Sequence, residues 1–412
     1  MVDLLKNKQI LSLFISSMAV MFTGMGLFPI LPLYAARFDA SSSTIGFYLA
    51  VIYAANALSP VVAGWLISRF SMKAVFVASA LVGLPALLGL AAAQSFAQVV
   101  VLTSLLWFSG GAVMALVSVL TGLHTDQSTR GRAFSLMAMV GPLGALAGGG
   151  AVGQLIAWQG YGFMFAVLAV FWIIVPLTGL FLKESPRQRL QPAGARGKPL
   201  AAEDGRLGAG FARLMAVAFL GSLAVNVSRF GSSLSMQAQQ FTPEAVSSAA
   251  MISGLVAIPA TLAIGAVSDR LGRRHLLFAS YLFAMSGSLI LVSASTLWQF
   301  WLAAILHLLA FSVSGAMAQA LAAETAPAHA VSKGLSYFNT LMAVASILTF
   351  AAGGVLYDLL GMPVVFLIGA VLALAAGMGV EAPAVAAVNP LAIAARLRHR
   401  SEPQCEDVTP VP

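Results

Sequence analysis

Apolar residues run along this chain in blocks of about 20, the length that carries an α-helix across a hydrocarbon core of roughly 30 Å at about 1.5 Å per residue. A chain patterned in this way folds with its outer face against lipid, because water would have to cover far too much apolar surface. The composition agrees: 59% of the 412 residues are hydrophobic and only 9% are charged, against roughly 25% charged in a soluble globular chain. Spans are expected near residues 10–36, 44–67, 74–93, 97–122, 133–157, 160–182, 212–237, 246–268, 275–294, 297–323, 334–358 and 362–381. The first apolar run, Ile10 to Tyr34, exceeds the 7 to 15 residues of a signal-peptide core, and Ala35-Ala36 is a poor cleavage site. It is expected to stay in place as span one.

Basic residues give the orientation, since Lys and Arg collect in the short cytoplasmic loops of membrane proteins. Lys6 and Lys8, Arg69 and Lys73, Arg130 and Arg132, the central segment, Arg270 with Arg273 and Arg274, Lys333, and Arg396, Arg398 and Arg400 all fall on one side; of the 22 Lys and Arg residues only Arg37 and Arg229 do not. An even number of spans with both termini in the cytoplasm follows, and the inner (plasma) membrane is the expected location. The same placement argues against nucleic acid as the reason for the net charge of +8, because the charge lies in separate loops and not on one soluble face. Between Lys183 and Gly210 the apolar pattern gives way to a Pro/Gly-rich stretch with six basic residues, a linker that can lie against anionic lipid. The domain reading is therefore a six-helix bundle over 1–182, a cytoplasmic linker over 183–210, a second six-helix bundle over 211–385 and a cytoplasmic tail over 386–412.

The two halves repeat. A shift of about 201 residues lays Gly64-Trp65-Leu66-Ile67-Ser68-Arg69-Phe70-Ser71-Met72-Lys73 over Gly265-Ala266-Val267-Ser268-Asp269-Arg270-Leu271-Gly272-Arg273-Arg274, and a slightly larger one lays Arg130-Gly131-Arg132 over Lys333-Gly334-Leu335. Parallel repeats with the substrate site at their interface are a known transporter design. The segment from Gly265 through Asp269, Arg270, Gly272, Arg273 and Arg274 resembles the cytoplasmic signature loop of the major facilitator superfamily. That resemblance covers the whole chain and implies an all-α polytopic fold of 12 transmembrane helices in two pseudo-symmetric six-helix bundles. It also implies that the loop gates the transporter by clasping helix ends across the two halves, with Asp269 as the chief gating residue; a carboxylate that pairs with arginine suits such a clasp. The N-terminal copy departs from the pattern, with Ser68 in place of the acid and Ser71 in place of the second glycine. Gly141-Pro142-Leu143-Gly144, followed by Gly148, Gly149, Gly150 and Gly153, resembles part of the span-five motif of the family's antiporters. Small residues four apart equally serve close helix packing.

Enzymatic chemistry has nothing to stand on. Residues 148–153 satisfy G-x-G-x-x-G but follow no strand, Gly197-Lys198 lacks the upstream glycine of a phosphate loop, and no metalloprotease or nucleophile-elbow motif occurs. The single cysteine, Cys405, excludes an intrachain disulfide. No cofactor and no metal are expected.

Polar residues at membrane depth are costly and hence candidates for function. Asn226 falls near the middle of span seven with Arg229 a turn beyond, and the family fold lines its cavity with spans one, four, seven and ten. Arg229 is then placed to meet an anionic group of the substrate or a carboxylate of another helix; alternatively it snorkels to headgroups or caps a break at Gly231-Ser232-Ser233. His307, in span ten, is a candidate proton carrier or a buried hydrogen-bonding residue. Asn56 in span two is a further substrate candidate, and with Asn339 an alternative interhelical partner. Span one has no acid and span four no arginine, a departure from the family's proton-coupled drug exporters. Phe22, Met25, Phe28, Trp107, Met114 and Met236 are candidates for an apolar cavity wall or for plain packing. The expected function is secondary active transport of a small molecule by alternating access, as a monomer, with proton-coupled efflux of an amphipathic compound as the first form and uptake symport or uniport of a small organic anion as the second. A membrane scaffold or receptor that keeps the fold without transport is the reading from another class.

Overall fold

The computed structural model describes residues 6–126, 129–183, 207–327 and 330–381, so most of the linker and all of the tail expected at 386–412 lie outside the described residues. Span one is Lys8–Leu27 continued by the short helix Leu31–Ala36; span two is Ser42–Ile67, span three Met72–Ala91 and span four Phe96–Leu123. Spans seven to twelve are Ala209–Ala238, Pro243–Leu271, Arg273–Val292, Leu297–Thr325, Val331–Leu360 and Met362–Glu381. Between them runs a 51-residue apolar stretch, Arg130–Leu180. At about 1.5 Å per residue it is roughly twice as long as a bilayer core is thick. It makes two crossings because the helix breaks at Gln159 and Gly160, where Gly160 takes φ 80°, a left-handed conformation that favours glycine. The described residues thus hold twelve spans, at the places the apolar blocks predict.

The duplication is clearer in helix ends than in identity. Side-chain caps at Ser41 and Thr242, capping boxes at Ser95 and Thr296, left-handed residues at Asp39 and Gln240, and left-handed glycines at Gly160 and Gly361 each stand 201 residues apart. The larger shift read for span five is not needed, since span five opens at Arg130 and span eleven at Val331. A cap is fixed by backbone donors with no partner in the helix, so it persists while lipid-facing side chains change.

Packing repeats in the same way. In the first bundle span one packs on spans four, five and six, span two on span four, and span three on spans four and six; in the second bundle the same pairs recur six spans on. Buried polar groups tie helices together within each bundle: Trp172 donates to the Ala80 carbonyl at 2.9 Å, Ser109 to Ser79 at 2.6 Å and Tyr357 to Val227 at 2.9 Å. Large apolar side chains such as Phe47, Trp158, Val170 and Val371 face outward, as a surface against lipid requires.

Two crossings join the bundles, span two on span eleven and span five on span eight. The first is closest at the end of the molecule away from the chain's termini, called distal here, and the second is close from the middle of its helices to that same end. A Cβ on Gly46 would collide with the Phe350 carbonyl and the backbone of Gly354; one on Gly153 would meet Glu244 Cα at 2.7 Å. Ser247 donates to the Gly149 carbonyl at 2.6 Å and accepts from the Gly153 N–H at 3.2 Å. Across the other crossing, Asp358 Oδ2 accepts from the backbone N–H of Ser43 at 2.7 Å and from its hydroxyl at 2.5 Å. That N–H is one of the first-turn donors a helix leaves open, and the helix dipole favours a carboxylate there. At the opposite, terminal end, Val61 and Trp65 of span two, Leu262 of span eight and Tyr337 of span eleven are exposed. The bundles are sealed distally and parted toward the termini.

Gly354→Val should loosen the distal seal, because overpacking costs about 1–3 kcal/mol and only the closed crossing contains the contact. Hydrogen exchange across 42–46 and 350–358 is expected to rise several-fold, with Asp358→Ala acting in the same direction through a lost cap of about 1 kcal/mol. Unchanged exchange in both folded variants would contradict this account of the seal.

Candidate functional site

Where the bundles part, a cavity of about 430 Å³ is walled by spans two, seven, nine, ten and eleven. Asn56 and Asn226 both line it, with Asn339, Gln319 and Ser346. The Asn226 amide donates to Ser222 at 3.1 Å and Ser346 at 3.3 Å, which holds the side chain against spans seven and eleven. Asn339 needed span eleven in place before it could be assigned to the same wall. Gln319 and Ser346 have no sequence signal that separates them from ordinary helix residues.

One turn distal lies a smaller pocket of about 70 Å³, lined by Arg229 and His307 together with Met25, Phe28 and Met236. The structure therefore splits the four candidates into two pairs, Asn56 with Asn226 and Arg229 with His307. Arg229 does not snorkel, and span seven does not break at Gly231-Ser232-Ser233 but runs on to Ala238. The guanidinium carbon sits 4.9 Å from the ring centroid of Phe28 and 4.8 Å from that of Phe311. Two aromatic faces, from spans one and ten, thus hold it between the spans. Cation–π contact offsets about 0.5–2 kcal/mol of the roughly 2.5–3.5 kcal/mol that an arginine costs at membrane depth. Among the described residues, the hydrogen bonds and ion pairs include none to the guanidinium, and Glu324 and Asp358 are engaged elsewhere, with Arg273 and Ser43. Its five N–H donors in a planar fork suit a carboxylate, sulfonate or phosphate.

His307 is buried, with Nδ1 2.8 Å from the Ala303 carbonyl and Nε2 3.2 Å from the Ser288 hydroxyl, which in turn meets Ser228 at 2.7 Å. Both ring nitrogens are occupied, the arrangement of a side chain that fastens span ten to spans nine and seven.

A third space, of about 390 Å³, opens among spans one, two and four, lined by Trp107, Met114, Met21 and Leu106. Of the six apolar candidates, Met25, Phe28 and Met236 line the Arg229 pocket, Trp107 and Met114 line this chamber, and Phe22 packs on Phe171 with ring centroids 4.5 Å apart. Span one offers the buried Thr23, whose hydroxyl has no partner among the described residues.

Gly144 and Gly148 of span five lie on Met21, Phe22 and Gly26 of span one, Gly149 and Gly153 lie on span eight, and Pro142 presents its carbonyl to Gly254. A Cβ on Gly141 meets open space. In the signature loop, Gly272 takes φ 83° and turns the chain from span eight into span nine. Arg273 pairs with Glu324 at the end of span ten, a partner that the motif alone does not reveal. Arg270 is exposed, Arg274 half-buried. Gly265 and Asp269 sit in span eight, but the Asp269 side chain lies outside the described residues. In the N-terminal copy Arg69 stacks on Trp65 at 4.1 Å and Lys73 donates to the Leu180 carbonyl at 2.5 Å, both within their own bundle.

Two like bundles of six spans, crossed closely at one end and parted around a polar cavity at the other, are the build of a membrane transporter. The chain belongs to the major facilitator superfamily, whose family profile matches residues 13–235 and again 209–400. Among curated proteins, the MFS-type transporter clz19 of Cochliobolus lunatus is 30% identical over 158 residues, which cover 37% of this chain and 28% of that protein. Among solved structures, the nucleoside transporter NupG aligns with a TM-score of 0.72 at 16% identity over 91% of this chain and 99% of that one. The POT family transporter PepTSo aligns with a TM-score of 0.72 at 14% identity over 96% and 99%. At these identities the likeness shows the fold.

His307→Gln is expected to keep transport, whereas His307→Ala should cost roughly 2–4 kcal/mol of stability, seen as a lower melting temperature. Loss of transport in a His307→Gln protein of unchanged melting temperature would make the ring itself functional.

Proposed function

We propose that this chain carries a small organic anion across the membrane by alternating access, with Arg229 as the anchor for the anionic group. One observation carries the reading: a guanidinium inside an apolar span, clamped between Phe28 and Phe311, with no acidic residue paired to it among the described residues. An arginine kept at that depth without a carboxylate is a site whose counter-ion arrives with the solute. Asn56 and Asn226 supply neutral hydrogen-bonding groups in the adjoining cavity.

With the basic loops marking the cytoplasm, both termini are cytoplasmic, and the structure is the state open to that side. Rocking the bundles would part the glycine crossings and close the ends of spans two, five, eight and eleven around the signature loop. Arg273 and Glu324 lie beside that moving seam, with Asp269 as the proposed latch to the other bundle. Protons are the proposed driving ion, and the occupied nitrogens of His307 favour a carrier other than that ring.

Arg229→Ala should abolish transport of organic anions into proteoliposomes, and Arg229→Lys, which keeps the charge but loses the fork, should retain only a small part of it. Repeating the assay with an imposed pH gradient reads the coupling. Undiminished anion transport in folded Arg229→Ala would sink the reading.

A further inference from the structure

The 390 Å³ chamber differs in character from the cavity beside it. Among the described residues no charged one lines it; its walls are Trp107, Leu106, Met21, Met114 and Trp172, and Gly24 leaves its floor open, whereas Gly110 and Gly111 make room for Val20 and for Asn56 and Ser59. Its volume lies within the range of small-molecule pockets, which are mostly apolar with a few placed polar groups. The chamber and the central cavity share Asn56. The central cavity in turn is lined by Phe311, one of the two rings that clamp Arg229. Phe311 thus links Arg229 to the central cavity, and Asn56 links that cavity to an apolar recess with an indole face.

The floor is open on the side of span one. Elsewhere in span one a missing Cβ is needed, as at Gly26, where it would lie 2.8 Å from Val152 and from the Gly148 carbonyl; at Gly24 a Cβ meets nothing within 4 Å. Gly24 lies in the last turn of Lys8–Leu27, where its carbonyl accepts from the Phe28 N–H. The space above Gly24 is open to a bound solute.

We infer that the substrate is a two-part organic anion, whose acidic head is held by Arg229 and whose flat apolar tail fills the chamber of spans one, two and four against Trp107. This rests on the reading of Arg229 as the anion anchor and adds the class of molecule attached to the anion. Methionines beside the indole fit tails of varied shape, since their side chains are flexible and polarisable. Each methylene removed from water is worth about a fourfold gain in affinity.

The test is the binding of a series of ω-phenylalkanesulfonates, whose charge is fixed across the working pH range, to the full chain in lipid nanodiscs, with Kd read by titration calorimetry. Kd is expected to fall about fourfold per added methylene until the chamber is filled, and then to level off. Gly24→Leu, which grows into the open floor, should flatten the series to the Kd of its shortest member. Trp107→Ala enlarges the recess without adding bulk and should move the levelling-off to a longer tail. Arg229→Ala should remove binding of every member. If Arg229→Ala removes binding but Kd ignores tail length, Gly24→Leu and Trp107→Ala, the two-part substrate is wrong and the anion anchor stands. If the series binds Arg229→Ala as it binds the unaltered protein, the anchor itself is wrong. No binding by any member overturns both.

Discussion

Backbone-to-backbone contact at the two glycine crossings is the constraint on which the rest of this molecule depends. Where Gly46 meets Gly354 and where Gly149 and Gly153 meet span eight, there is no room for a side chain. The helices touch backbone to backbone, where dispersion and hydrogen bonds do the work that the hydrophobic effect does in water. Because one crossing is tight at the distal end and the other from mid-helix to that same end, the bundles diverge toward the termini. The cavity is the geometric result of that divergence and not of any one residue.

Within this frame charge is used sparingly. The described cations lie almost entirely at helix ends, stacked on tryptophan, donated to a carbonyl or paired with a carboxylate. Arg229 alone lies inside an apolar span, and two rings hold it there. The contrast with His307 is instructive. Both are titratable groups in cavity-lining spans beside the same small pocket, yet the ring nitrogens of one are both engaged by protein, and the guanidinium of the other has no hydrogen-bond partner among the described residues. Polarity at depth marks both positions; only the hydrogen-bond inventory separates a fastening from a binding group.

Spans, duplication and family were legible in the sequence because each is written in many residues at once: a 20-residue apolar block tolerates substitutions, and a signature loop holds six residues at fixed spacing. The site was legible only in part. Arg229, His307, Asn226 and Asn56 stand out as polar residues in apolar blocks, so they were found. That Phe311 would clamp Arg229, or that Glu324 would meet Arg273, depends on which faces of spans seven, nine and ten turn toward one another. A helix of leucines, alanines and phenylalanines bounded by lipid on one side and protein on the other carries little of the amphipathic pattern that reveals such a face in a water-soluble protein. The same lack hid the difference between Phe22, which packs on Phe171, and Phe28, which lines the pocket.

The constant offset between the halves says something about history as well as shape. From Asp39 and Gln240 through to Gly160 and Gly361, corresponding turns and caps stay 201 residues apart. No net insertion or deletion separates the two copies over that stretch, though few of their residues still agree. Side chains have been replaced freely while length has not, which is the pattern left when selection acts on where a helix ends. A membrane of fixed thickness and a partner bundle of matching height allow a residue to be changed, and refuse one that is added.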